Sequence, residues 1–92
     1  INQIRVRAAA PQIGESTLTL DFILQEGMRE LYWEGHRRTD LIRFGKFTKG
    51  YNWPWKNGIY NGTTNIDDKF NVYPLPSTEI SANPNLIQNK GY

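Results

Sequence analysis

The long stretch 46–71 constrains the fold of this chain more than any other part of its 92 residues. It is rich in glycine, asparagine, lysine and aromatic residues, and it contains the turn-favouring dipeptides Asn57-Gly58 and Asn61-Gly62. A stretch of this length without regular structure is uncommon inside a compact domain, and where it occurs it is usually functional. We therefore predict an aromatic loop over 46–71, with at most a short hairpin around Asn57-Gly58.

Residues 1–45 have the hydrophobic periodicity of helices. Pro11 and Gly14 interrupt this pattern, and Gly35 interrupts it again, which predicts the end of a helix there. The predicted helices are one that ends near Ala10, one from about Leu20 capped by Thr17 or Thr19, and one from about His36 to Phe44 that is stopped by Gly45.

The second predicted helix has apolar residues on two sides. At 100° per residue, Phe22 and Trp33 fall near the side opposite the main apolar stripe. That stripe contains Leu20, Ile23, Leu24, Met28 and Leu31. A surface helix needs one apolar face, so two such faces predict a helix that is covered on both sides. Because a chain of 92 residues supplies only a small core, we expect part of this cover to come from a longer polypeptide.

Residues 72–92 predict an extended, turn-rich tail, because residues that precede Pro74 and Pro76 avoid the α region. A short helical turn is expected at Ser77–Ile80 and another turn at Asn83–Asn85. The chain is therefore predicted to be mainly α with long irregular loops. We treat residues 1–92 as part of one domain, with a helical segment 1–45, an aromatic loop 46–71 and the tail 72–92.

Composition excludes several classes of function. The chain has no cysteine, which rules out disulfides, thiolate metal sites and a cysteine nucleophile. Eleven Lys+Arg against nine Asp+Glu leave a net charge of +2, too little for a nucleic-acid-binding surface. A single histidine cannot form a multi-histidine metal site, and neither a metal nor another cofactor is expected. No stretch approaches the ~18 apolar residues of a membrane span.

The densest polar cluster lies around the predicted junction of the second and third helices. An acid–base centre there would combine His36 with Glu34 or Asp40, but residues two apart on a helix face different directions. The many arginines favour a structural ion network instead, because a guanidinium group holds carboxylates bidentately. The predicted network consists of Glu30, Glu34, Arg37, Asp40 and Arg43.

The aromatic loop contains the candidate ligand-binding residues Tyr51, Trp53, Trp55 and Tyr60, interleaved with Asn52, Asn57, Asn61 and Lys56. Aromatic rings beside amide and ammonium donors suit a sugar, because pyranose C–H faces stack on rings and hydroxyls take hydrogen bonds. The same composition also builds protein interfaces, where Trp and Tyr supply anchors. A third interpretation is that the rings only pin the loop to the helices. All three remain open at this point.

Motifs along the whole chain resemble those of the SusD/RagB family. Glu30-Leu31, Glu34-Gly35-His36-Arg37 and the run 40–46 are similar to its E-L-x-x-E-G-x-R-x-x-D-L-x-R-x-G-K signature. The start, 2–8, resembles the family's N-x-x-R-x-R-A segment, and 73–92 resembles its carboxyl terminus. The run 25–29 departs from the usual D-E-R-A-R, of which only Glu26 and Arg29 remain.

The resemblance implies a tetratricopeptide-type α-α superhelical fold in a lipoprotein on the outer face of a Gram-negative outer membrane. Members bind nutrients, most often oligosaccharides, and cap a TonB-dependent transporter; they are not enzymes. The implied partners are that transporter, the nutrient and a missing amino-terminal part that carries the lipid anchor, since this chain resembles the carboxyl-terminal segment. Family sugar contacts lie largely outside the shared motifs, so the resemblance assigns no ligand residue here.

Two alternatives remain at the level of sequence. The segment could serve only as scaffold and transporter interface, with all ligand contacts elsewhere. In a different class, it could be part of a glycosidase that uses two of Glu30, Glu34 and Asp40, which requires carboxyl groups about 5–9 Å apart across a cleft. The arginines around these carboxylates argue against the glycosidase.

Overall fold

A computed structural model describes all 92 residues, which form short helices and turns without a β-strand. The helices are α1 (Asn2–Arg7), α2 (Leu20–Glu30), α3 (Arg37–Arg43) and α4 (Ser77–Ala82). The chain divides into two compact units, Ile1–Asp40 and Leu41–Tyr92. None of the helices combines the length and the apolar composition that crossing a bilayer requires. The prediction of a mainly α chain with long irregular loops is confirmed.

Thr19 caps the longest helix, α2, which settles the choice between the two threonines. Its side-chain oxygen accepts a hydrogen bond of 3.1 Å from the backbone N–H of Phe22. The helix ends at Glu30, so the prediction that it runs to a stop at Gly35 was wrong. The chain leaves the helix through a turn in which Trp33 adopts the left-handed conformation at φ 68°. Trp33 therefore lies outside the helix.

The two apolar sides predicted for α2 have different surroundings within these 92 residues. Phe22 is half-buried, and the guanidinium of Arg5 from α1 lies 5.7 Å from the centre of its ring. On the main stripe only Leu24 is buried, whereas Leu20 is 71% exposed. The exposed members of the stripe also include Ile23 and Met28. One side of α2 thus contacts α1, and most of the other side is open.

Helix α3 stops at Gly45, as predicted. Gly45 has φ 67°, and the backbone N–H of Lys46 reaches back to the carbonyl of Leu41 at 2.7 Å. A left-handed residue at this position satisfies the last free carbonyls of a helix, and glycine adopts the conformation without steric cost. Leu41 is the buried hydrophobic side chain of the second unit.

The loop 46–71 contains no hairpin. Trp55 has φ 67° and Asn57 has φ 59°, so a strand cannot pass through this turn, and Lys56–Gly58 form a single 3₁₀ turn instead. One backbone hydrogen bond, from the N–H of Trp55 to the carbonyl of Tyr60 at 3.2 Å, closes the turn. Hydrogen bonds from the buried side chains of Thr48 and Lys56 connect different parts of the loop.

The tail 72–92 is extended and turn-rich, and side-chain amides take the place of a β-ladder. Gln88 accepts a hydrogen bond from the backbone N–H of Leu75 at 2.8 Å and donates one to its carbonyl at 2.9 Å. Asn89 donates to the carbonyl of Tyr73 at 2.7 Å. The predicted turn at Asn83 forms, because the Asn83 side chain accepts from the N–H of Asn85 at 3.1 Å.

Candidate functional site

Ion pairs between α1 and α2 organise the first unit. Arg5 Nη1 lies 2.9 Å from both carboxylate oxygens of Glu26, and Arg29 Nη1 lies 2.8 Å from Oε2. Glu26 is only 8% exposed. Burial raises the pKa of this carboxyl, but the hydrogen bonds from Arg29 and Arg5 outweigh it, so the pKa lies below its ordinary value. Glu26 is therefore an ionised structural carboxylate.

The predicted ion network is distributed over several contacts. Glu30 pairs with Arg7 of α1. Arg37 donates to the backbone carbonyl of Leu24 at 2.9 Å, so this arginine ties the start of α3 to the middle of α2. Glu34 lies exposed in the turn after α2, Asp40 is half-buried in α3, and Arg43 is exposed at the end of α3. As one network, these five residues remain a prediction.

Sequence reasoning missed the pairing of Arg5 with Glu26. The signal was present, because Arg5 belongs to the N-x-x-R-x-R-A segment and Glu26 is one of two residues that keep the D-E-R-A-R pattern. The sequence does not show that these two residues lie close together, because their contact depends on how residues 8–19 connect α1 to α2. The correct hypothesis would have been that the charged residues of these two short motifs pair with each other across the loop that separates them.

Arginines hold two carboxylates of α2, and one of them, Glu30, belongs to the glycosidase alternative. Glu26 is held by two arginines and Glu30 by a third. A general acid needs a raised pKa, which a carboxyl acquires in an apolar site and loses beside a guanidinium. The pKa of Glu26 is lowered instead. No three Asp, Glu or His side chains converge closely enough to hold a metal ion.

In the second unit, the aromatic loop is built around the ammonium group of Lys56. This side chain is 1% exposed, and its Nζ donates to the carbonyls of Tyr51 at 2.7 Å and Thr64 at 2.9 Å. The same atom lies 4.5 Å from the centre of the Trp53 ring. Burial lowers the pKa of Lys56. The interpretation of Lys56 as a donor beside the rings, available to a ligand, was wrong, because its hydrogens are used inside the loop.

The four candidate aromatic residues fall into two pairs. Trp53 stacks on Phe47 with 5.6 Å between ring centres and lies 6.1 Å from Tyr51, and both Tyr51 and Trp53 are half-buried around Lys56. Trp55 and Tyr60 meet edge to face at 5.3 Å and 88°. They are 63% and 70% exposed. Tyr51 and Trp53 therefore pack inside the loop, and Trp55 and Tyr60 present their rings to solvent.

Close backbone approach fixes the loop beneath the exposed pair. Gly62 has φ 72°, and a Cβ on this residue would clash with the carbonyl oxygen of Trp53. Asn52 donates from its side chain to the carbonyl of Asn61 at 3.0 Å, which ties the two arms of the loop together. Only a glycine permits this approach, so the loop has one backbone arrangement rather than many.

Thr48 and Asp68 hold the base of the loop. The buried hydroxyl of Thr48 donates to Asp68 Oδ1 at 2.7 Å, and Lys49 pairs with Oδ2 at 2.6 Å. These hydrogen bonds, first from Lys49 and then from Thr48, lower the pKa of Asp68. The backbone carbonyl of Thr48 also accepts from the N–H of Ile66 at 2.8 Å. The two ends of the loop are thus joined at residues 48 and 66–68.

The first unit carries an apolar groove of about 440 Å³. Met28, Leu31, Tyr32 and Trp33 line it together with Gly27, above which a Cβ would meet nothing within 4 Å. Tyr32 and Trp33 meet edge to face at 6.2 Å, and Trp33 is 88% exposed. This groove differs from the aromatic loop because aliphatic and charged side chains, rather than amides, accompany its rings.

Comparison with known proteins agrees with the motifs described above. The SusD family matches residues 1–92. The chain is 44% identical over 93 residues to the starch-binding protein SusD of Bacteroides thetaiotaomicron, an alignment that covers 100% of this chain and 16% of that protein. The chain therefore spans only 16% of the length of this relative. The helical, strandless structure agrees with the tetratricopeptide-like fold of that family. The match over every residue and the 44% identity show that this chain belongs to the SusD/RagB family.

Proposed function

We propose that this chain is part of a non-catalytic protein of the cell surface that binds oligosaccharide and delivers it to a TonB-dependent outer-membrane transporter. The observation that carries the proposal is the 44% identity over the whole chain to a protein named for starch binding. At this identity a helical scaffold and its motifs are expected to be retained, and binding is the activity that the relative's name describes.

The chemistry of the described residues supports binding rather than catalysis. Two carboxylates of α2 are ion-paired: Glu26 with Arg5 and Arg29, and Glu30 with Arg7. Burial raises the pKa of Glu26, but the hydrogen bonds from Arg29 and Arg5 outweigh it, so this carboxyl stays ionised near neutral pH and supports helix packing. Non-covalent capture instead needs exposed rings and hydrogen-bonding groups, which the loop 46–71 supplies.

The proposal includes a location and partners. We expect the intact protein to be lipid-anchored through an amino-terminal region and to lie on the outer face of the outer membrane, where polysaccharide fragments arrive. The transporter would be its protein partner, and the ligand would be a neutral oligosaccharide. Nucleic acid is not expected to bind, because the net charge is only +2.

Isothermal titration of the intact protein that carries this chain tests the proposed function. Maltoheptaose is the probe, with cellohexaose as a matched control of different linkage, and the released reducing ends are measured in parallel. We expect saturable binding of maltoheptaose without hydrolysis. Hydrolysis of the probe would contradict a non-catalytic role, and failure to bind any glucan would contradict oligosaccharide binding.

The apolar groove favours a second candidate function, in which this segment acts only as scaffold and transporter interface. Gly27 lies in the interior of α2, where glycine costs about 1 kcal/mol relative to alanine. The open space above it and the exposed Trp33 beside it suit close approach by another protein surface. A Gly27→Leu variant of the intact protein should then lose co-purification with the transporter while its maltoheptaose affinity is unchanged. Unchanged co-purification would contradict this candidate.

A further inference from the structure

We propose that Trp55 and Tyr60, which we call the aromatic corner, form a carbohydrate-contact site within this chain that takes a neutral glucan. This inference deepens the proposed function and rests on it, because it names a place where the oligosaccharide touches the segment. It also narrows the sequence prediction from four aromatic residues to two.

The geometry of the two rings supports a carbohydrate contact. Their planes are at 88° with centres 5.3 Å apart, so the two rings cannot stack on the same sugar face. Each ring is more than half exposed, at 63% for Trp55 and 70% for Tyr60. A pyranose can lie flat on one ring while its edge touches the other. This arrangement suits a chain of linked sugars, which presents both faces and edges.

The backbone around Trp55 holds its ring in position before any ligand binds. Trp55 has φ 67° and ψ 6°, a left-handed conformation that costs a bulky residue of order 1–2 kcal/mol. The next residue, Lys56, is fully buried and bound to the carbonyls of Tyr51 and Thr64, which holds the backbone in place. The Trp55 indole is therefore exposed to solvent, and the hydrogen bonds of Lys56 support the backbone next to it. A ring that is already ordered loses little entropy when a ligand stacks on it.

The residues next to the aromatic corner in sequence carry no exposed charge. Between Gly50 and Ile66 the sequence has no acidic residue, and its one basic residue, Lys56, is buried. The exposed polar groups near the corner in sequence are the amides of Asn57 and Asn61. Amides can both donate to and accept from sugar hydroxyls. A surface of rings and amides without charge matches a neutral sugar better than it matches a charged ligand or a protein partner that would pair with salt bridges.

Trp33 provides a contrast within the same chain. It is also left-handed, at φ 68°, and also exposed, at 88%. Its neighbours are the apolar side chains of Met28 and Leu31 and the charged residues of α3, among them Arg37. Each unit thus has an exposed tryptophan in the left-handed conformation. The neighbouring amide side chains are the reason why we place the sugar contact at Trp55 and not at Trp33.

The experiment is hydroxyl-radical footprinting of the intact protein, with and without saturating maltoheptaose. We expect the oxidation rate of Trp55 and Tyr60 to fall several-fold with the sugar, and the rate of Trp33 to stay unchanged. In titration calorimetry, Trp55→Ala should weaken maltoheptaose affinity roughly tenfold through lost stacking area, whereas Trp33→Ala should not. Trp55→Phe keeps a ring and should retain most of the affinity, which guards against a folding defect in the alanine variant.

The possible outcomes separate the two proposals. Protection of Trp55 and Tyr60 by maltoheptaose, together with weaker maltoheptaose affinity in Trp55→Ala, supports the aromatic corner. Maltoheptaose binding with Trp55 and Tyr60 unprotected overturns the corner and leaves the proposed function intact. Protection of Trp55 by the transporter and not by the sugar overturns the corner in favour of a protein interface. Failure of the wild-type protein to bind either maltoheptaose or cellohexaose overturns the proposed function, and the corner with it.

Discussion

The two units of this chain satisfy their buried charges by opposite means. In residues 1–40 a carboxylate, Glu26, is held by the guanidinium groups of Arg5 and Arg29. In residues 41–92 an ammonium, Lys56, is held by two backbone carbonyls and the face of Trp53. Helices satisfy most of their own backbone groups, so their side chains are free to pair with each other. A loop has carbonyls without partners, and a buried lysine supplies the missing donors.

This difference also determines what each unit can present to a partner. Paired charges bring α1 and α2 together and leave an apolar groove beside Trp33. Lys56 carries the only charge between Gly50 and Ile66 and is buried, so the exposed residues next to Trp55 in sequence carry rings and amides. These surfaces are the basis of our proposals that the first unit contacts a protein and that the second binds a neutral ligand. Substitutions in each unit test whether the two forms of support are independent.

The largest effect is expected at Gly62. Gly62→Ala places a Cβ against the carbonyl oxygen of Trp53 in a left-handed residue, so the loop must open. We expect a loss of more than about 3 kcal/mol in the free energy of unfolding. Gly50→Ala is the matched control, because Gly50 has φ 66° with open space around it and should cost about 1 kcal/mol. Denaturant unfolding of the intact protein measures both, and equal losses would contradict the close approach.

The next effect is expected from removing the ammonium. Lys56→Met keeps the length of the side chain but leaves the carbonyls of Tyr51 and Thr64 without their donor. An unsatisfied buried carbonyl is costly, and we expect a loss of about 2–3 kcal/mol together with faster hydrogen exchange across 47–66. Exchange in α2 should not change. The control is Lys49→Met, which removes an exposed lysine; a similar loss there would argue against the central role of Lys56.

The sequence allowed the helices to be predicted because their signals are local. Thr19 before Leu20, and Gly45 after α3, are caps whose chemistry acts within four residues. The family resemblance and the mainly α fold followed from such motifs. The end of α2 was predicted too late, with Gly35 as its stop instead of the turn after Glu30, because the pattern of apolar residues continues through the turn that contains Trp33.

The sites could be predicted only in part because their determinants are not local. The sequence predicts the aromatic loop as a candidate site, but its division into a buried and an exposed pair depends on where the Lys56 ammonium lies. No sequence rule predicts that a lysine between Trp55 and Asn57 is fully buried. Likewise, the pairing of Arg5 with Glu26 joins residues on two helices, and only the folded arrangement brings them to 2.9 Å.

A third prediction concerns acid and the first unit. The folded-state pKa of Glu26 lies below its ordinary 4.5, so the unfolded chain takes up the proton first as the pH falls. The stabilisation by its ion pairs is therefore complete above about pH 4.5 and is lost as the pH falls through the lowered pKa. The difference in the free energy of unfolding between wild type and Glu26→Gln should be largest at neutral pH and shrink in acid.

The glutamine variant is needed because the second unit also contains an acid-sensitive carboxylate. The pKa of Asp68 is lowered by hydrogen bonds from Lys49 and Thr48, so acid weakens both units. Subtracting the Glu26→Gln profile isolates the contribution of α1 and α2, and Asp68→Asn isolates that of the loop. A Glu26→Gln variant whose stability follows the wild-type profile at every pH would contradict the ion-pair description of the first unit.

The smallest effect is expected at the start of α2, and it tests how local the support of the first unit is. Thr19→Ala removes the acceptor for the N–H of Phe22 and should cost about 1 kcal/mol. Thr17→Ala is the matched control, because Thr17 ends a 3₁₀ turn two residues earlier and does not cap the helix. Hydrogen exchange should show fraying limited to the first turn of α2, while the pairs of Glu26, almost two turns later, keep the helix attached to α1. Loss of protection throughout α2 on removal of the cap would mean that the ion pairs alone do not hold the two helices together.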